Sequence, residues 1–144
     1  MYASTAVIED GRAMLVMGGW PSHVGYGTES SVLSTTQIVR PGQTIQPGPN
    51  MTGAAYGHCS ITMLDGSVIV TGGRRLYKDG GSARTEVYNF TTGHWRTVQP
   101  MTQRRMFHSC TQVWVTPESD ILSGAVTNSS VISIIVSGGT KKYQ

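Results

Sequence analysis

Short β-like runs recur along the chain, and three of them end alike. Met14-Leu15-Val16-Met17, Val68-Ile69-Val70-Thr71 and Ile134-Ile135-Val136-Ser137 each run into a glycine pair, at Gly18-Gly19, Gly72-Gly73 and Gly138-Gly139. Runs of this length, rich in β-branched residues and closed by turn-formers, predict strands. Asp10-Gly11 and Asp65-Gly66 each stand between a β-rich run and a glycine-pair run. That placement predicts a tight hairpin turn at each site.

The runs belong to a repeat. Met51-Thr52 followed by His58 matches Met101-Thr102 followed by His108, an offset of 50. Ile45 and Trp95 precede the two methionines by the same spacing, and Thr36-Gln37-Ile38-Val39 answers Thr85-Glu86-Val87-Tyr88. A period near 50 with four short strands per unit predicts β-propeller blades. The first blade covers residues 1–50, with strands at 3–9, 12–18, 34–40 and 43–47. The second covers 51–100, with strands at 58–64, 67–73, 84–90 and 94–99. An incomplete third unit at 101–144 holds strands at 108–116 and 131–137, separated by a polar insertion at 117–130.

An apolar quartet, Gly-Gly, a spaced Tyr and Trp, then Met and a following His resembles the kelch repeat. The second unit carries all of it, through Val68 to Gly73, Tyr88, Trp95, Met101 and His108. The first has Val39 and Ile45 where the Tyr and Trp belong. The resemblance implies an all-β fold, an incomplete kelch-type β-propeller of four-stranded antiparallel blades. It implies little about function, because one fold hosts many roles. Closing a propeller takes about four blades or more, so the remaining blades are expected in the same chain or a second one. The chain reads as a piece of a longer protein or as a split propeller.

Composition narrows the classes further. Charged residues are 13% of the chain, against 18 glycines and 32 serines and threonines, a balance that disfavours helices. No run approaches a membrane span, and a net charge of +3 is too mild for nucleic-acid binding by charge alone. The charge is unevenly placed, however. If strands alternate, the loops at 20–33, 74–84 and 100–107 share one face, carrying Arg74, Arg75, Lys78, Arg84, Arg104 and Arg105 against Glu29 and Asp79. Trp20, His23, Tyr26 and Tyr77 supply flat surfaces beside them. Such a basic rim on long loops suits an acidic peptide or an anionic glycan. The partner-binding candidates are Arg74, Arg75, Tyr77, Lys78, Arg84, Arg104, Arg105 and Trp20.

No metalloprotease His-Glu pair, phosphate-binding loop with Lys or Cys-x-x-Cys knuckle occurs. The reading is therefore a non-catalytic protein-interaction module with no cofactor and no metal. The alternative is a fragment of a galactose-oxidase-like radical-copper oxidase, a family also built on kelch-like blades. Tyr56, His58 and Cys59 lie close together, but neighbouring strand residues cannot all point into one site. His58 and His108 are expected to pack. Cys59 aligns with Ser109 and Cys110 with Ser60, one register apart; because adjacent strand positions face opposite ways, two free buried thiols are expected. All three asparagines, Asn50, Asn89 and Asn128, stand in glycosylation acceptor triplets. That leans towards a secreted or cell-surface parent.

Overall fold

The computed structural model describes residues 2–21, 32–75, 80–115 and 131–139. Tyr77, Lys78, His23, Tyr26, Asn128 and the predicted insertion at 117–130 lie outside the described residues. Three antiparallel sheets appear among the rest, each meandering in chain order. The first holds β1 (Ser4–Ile8), β2 (Ala13–Met17), β3 (Thr36–Val39) and β4 (Gln46–Gly48). The second holds β5 (Tyr56–Thr62), β6 (Val68–Arg74), β7 (Thr85–Asn89) and β8 (His94–Thr97). The third pairs β9 (Ser109–Val115) with β10 (Val131–Ser137). The fold is all-β, and its four-stranded sheets are the blades expected from the repeat.

The first strands of the three sheets, β1, β5 and β9, lie next to one another in turn. Ser60 Oγ donates to the Thr5 carbonyl at 3.0 Å and Thr62 Oγ1 to the Val7 carbonyl at 2.5 Å. Alternation along β5 therefore sends His58, Ser60 and Thr62 towards the first blade and Cys59 and Ile61 towards the third. Between the first two blades lies the main core, where Ile8, Leu15 and Met17 meet Val68, Val70 and Tyr88 around Met51. Each such buried side chain contributes about 1.5–3 kcal/mol. The other face of the first blade is uncovered: Val7 pairs with Met14 across β1 and β2, and both stay exposed, Val7 at 54%.

Tyr88 and Trp95 fill the outer part of the gap, with ring centroids 5.2 Å apart and Trp95 Nε1 donating to the Pro49 carbonyl at 2.8 Å. Ile45 does not repeat this role. It precedes β4, which begins three residues later than the expected 43, and its side chain is exposed.

The glycine pairs have a steric reason. Gly18 and Gly72 adopt φ of +57° and +65°, and a Cβ on Gly72 would lie 2.5 Å from His108 Cε1 and 2.6 Å from the Arg105 carbonyl oxygen. Gly18 meets Ala55, Met51 and His58 in the same way. The recurring Met and His thus close over the glycine of the preceding blade, which explains why the three landmarks travel together.

One expectation from the sequence is overturned. Cys59 and Cys110 form a disulfide, with Cα atoms 6.1 Å apart across 51 residues of chain. The one-position offset between them is what a bridge between neighbouring blades requires. Two stacked blades confront each other with opposite faces, so Cys59, facing forward from β5, meets Cys110, facing back from β9. Equivalence of positions between repeats carries no trace of that inversion.

Candidate functional site

Two pockets open where the arginines gather. A pocket of about 600 Å3 is lined by Arg74, Arg75 and Arg84 together with Ser34, Thr52 and Ser82. A second, of about 380 Å3, is lined by Arg74, Arg75 and Arg104 beside Gly80, Gly81 and Ser82. Both lie at the end of the sheets where β2 runs out to β3, β6 runs out to β7, and the chain passes from one blade to the next. Volumes of this size suit a small ligand or a short segment of a larger one.

The arginines differ in what they can offer. Arg74 belongs to β6 rather than to an open loop, and it is buried. Its Nε donates to the Tyr56 hydroxyl, its Nη1 approaches Met106 Sδ at 3.5 Å, and its guanidinium sits 5.3 Å from the Tyr56 ring centroid. Reading it as a freely presented rim charge is corrected: a residue in a strand between blades is clamped by packing. Trp20 is corrected likewise, being buried against Tyr56 with centroids 5.1 Å apart and edge-on geometry.

Arg84 pairs through Nη1 with Glu86 at 2.5 Å, and Glu86 is completely buried. The Glu86 carboxylate also accepts the Thr52 backbone N–H at 3.0 Å and the Thr52 hydroxyl, joining the interblade turn to the second blade. Burial lowers the Arg84 pKa while the Glu86 charge raises it. Arg84 Nη2 is buried without a hydrogen-bond partner. Arg105 donates Nη1 to the Gly138 carbonyl at 2.6 Å and so braces the third blade instead of entering either pocket. Arg75 and Arg104 remain exposed. The structure therefore gathers Arg74, Arg75, Arg84 and Arg104 and sets Arg105 and Trp20 apart. Ser34, Thr52, Ser82 and Tyr56 were missed as neighbours of these charges, because position along the chain does not say which loops converge in space.

Both recurring histidines are buried, as packing residues should be. Neither ring nitrogen of His58 has a hydrogen-bond partner. Its pKa is pushed down to about 4, chiefly by desolvation, then by the charges of Arg84 and His108, against a weaker pull from the Ala55 carbonyl. His108 donates to or accepts from Thr71 through Nε2 at 2.9 Å, and burial lowers its pKa too. Below pH 6.5 the unfolded chain takes up a proton at residue 58 that the folded chain refuses. The stabilisation from His58 is whole above pH 6.5 and is lost as pH falls towards 4, amounting to about 3 kcal/mol across the window. The denaturant midpoint should fall across that window, and His58→Gln should flatten the profile.

Comparison with known proteins bears on the repeat. The family model described as "Kelch motif" matches residues 55–102. That is a kelch repeat. The four-stranded sheets are accordingly blades of a kelch propeller. Among solved structures, the chain is similar to a fungal alcohol oxidase of the AA5 family determined in complex with copper, at a TM-score of 0.61 and 20% identity. The match covers 78% of this chain and 24% of that one, so the chain spans about a quarter of its structural neighbour's length. At that identity the likeness speaks for the fold. No curated protein matches the chain in sequence.

Proposed function

We propose that the chain is a non-catalytic interaction module of a larger kelch propeller, recognising an acidic peptide or an anionic glycan through its arginine-lined pockets. The observation that carries this reading is the meeting of Arg74, Arg75 and Arg84 at one opening, with Arg104 beside it. Arg74 and Arg84 are held by internal partners, so they set a fixed positive field. Arg75 and Arg104, exposed at the mouth, are the groups free to move onto a ligand. Further blades, supplied by the same chain or a second one, would cover Val7 and Met14.

The oxidase reading finds less support. Such a site needs a cysteine joined to a tyrosine, and Cys59 is joined to Cys110. The Tyr56 hydroxyl is occupied by Arg74. Among the described residues no group of three or more His, Cys, Asp or Glu could hold a metal ion. Tyr56 and Cys59 thus do not form the cross-linked pair that this reading calls for.

The test is to replace Arg75 and Arg104 together by glutamine in the full-length protein. Binding to a polyglutamate peptide or to a sulfated-glycan matrix should weaken roughly tenfold at low salt, since two exposed charge contacts contribute up to about 2 kcal/mol. The difference should shrink as salt screens the interaction. Unaltered binding in the double variant would end this reading.

A further inference from the structure

We propose that Asn89 carries an N-linked glycan, placed on the face opposite the arginine-lined pockets. Asn89-Phe90-Thr91 begins at the last residue of β7 and enters the turn to β8. Strand alternation puts this turn at the end of the sheet away from the β6–β7 connection, where the pockets open. Asn89 and Thr91 are exposed, and Phe90 is 39% exposed. Asn89 Oδ1 accepts the Thr92 N–H at 3.0 Å, and the Gly93 N–H returns to the Asn89 carbonyl at 2.9 Å. The turn is thus shaped by the carbonyl oxygens, and among the described residues the Asn89 Nδ2 donates to nothing.

The triplet at Asn50 is held differently. Met51 is buried in the core between the first two blades. Thr52 commits both its backbone N–H and its hydroxyl to Glu86. Closing the blades withdraws two of the three positions that a glycosyl transferase must read, whereas the Asn89 triplet stays presented at a hairpin tip.

The Cys59–Cys110 bridge is a second and independent pointer. Structural disulfides persist in oxidising compartments, which are also where asparagine-linked glycans are attached. In the transfer, Asn89 Nδ2 attacks C1 of the reducing-end sugar of a polyprenyl-diphosphate-linked oligosaccharide. The C1–N bond forms, the C1–O bond to phosphate breaks, the polyprenyl diphosphate leaves, and the amide nitrogen gives up one proton. No oxidant or reductant is consumed.

The experiment directs the full chain through the secretory pathway of a eukaryotic cell and treats the purified product with a peptide-N-glycosidase. The expected result is a mass step removed by the enzyme, with the asparagine at position 89 converted to aspartate on peptide mapping. Asn89→Gln and Thr91→Ala should each abolish that step, and Thr91→Ser should keep it. The conservative variant separates loss of the acceptor from loss of folding. An unmodified Asn89 in secreted protein whose disulfide has closed would overturn the proposal, as would a step at that position surviving in Thr91→Ala. Because the glycan and the pockets lie on opposite faces, Asn89→Gln should leave polyglutamate binding unchanged. Failure of either idea is thereby distinguishable from failure of the other.

Discussion

Replacing Cys59 and Cys110 together by serine should lower the urea midpoint of unfolding more than any surface change considered for this chain. The bridge closes a loop with a sequence separation of 51, and the chain-entropy relation assigns such a loop about 4 kcal/mol. Blade three contributes two described strands, with Ile135 half exposed on β10. The backbone bonds from Gly73 N–H to the Arg105 carbonyl, from Arg105 N–H to the Ser82 carbonyl and from Phe107 N–H to the Gly57 carbonyl, with the Thr71–His108 bond, would be left to hold it. Reduction with dithiothreitol should shift the midpoint of the native chain to that of the double variant and leave the variant unmoved. A midpoint insensitive to both would mean that the blades are held by contacts other than the bridge.

The second large effect is expected at Gly72. An alanine there faces two penalties at once. The backbone sits at φ +65°, where an L-residue loses about 1 kcal/mol or more. Its methyl would also fall 2.5 Å from His108 Cε1 and 2.6 Å from a carbonyl oxygen, and such overpacking costs a further ~1–3 kcal/mol. Gly72→Ala should therefore destabilise by about 3 kcal/mol. Gly66→Ala is the control, having φ +79° but no atom within 4 Å of the added Cβ. It should lose only the conformational part, about 1 kcal/mol. Equal losses in the two variants, measured by chemical denaturation, would show that close approach of the next blade is not what the glycine serves.

How much could be read beforehand follows from which residues recur. Met51 and His58 keep the spacing of Met101 and His108 because each pair closes over the glycine of the preceding blade, Gly18 or Gly72, in one contact between consecutive blades. A contact that repeats leaves its spacing in the chain, so strands β5 to β8 lay within two residues of expectation. Ile45 had the spacing of Trp95 without its role, because a shared offset does not supply an indole to reach the Pro49 carbonyl. The arginines were legible as charges but not as neighbours. Arg74 and Arg105 are both basic residues near blade ends, yet one is locked behind Tyr56 and the other reaches across to Gly138.

Local order therefore determined the strands, their meander and the face on which each side chain lies, because those depend on alternation and on backbone torsions within a unit. Relations between units were decided by stacking alone. The disulfide is the clearest instance: alternation correctly gave Cys59 and Cys110 opposite orientations, and only the confrontation of neighbouring blades turns opposite orientations into contact. The pockets obey the same division. Their charges are written in the chain, while their walls come from Thr52 in one interblade turn and from Ser34 and Ser82 where the chain re-enters two different sheets.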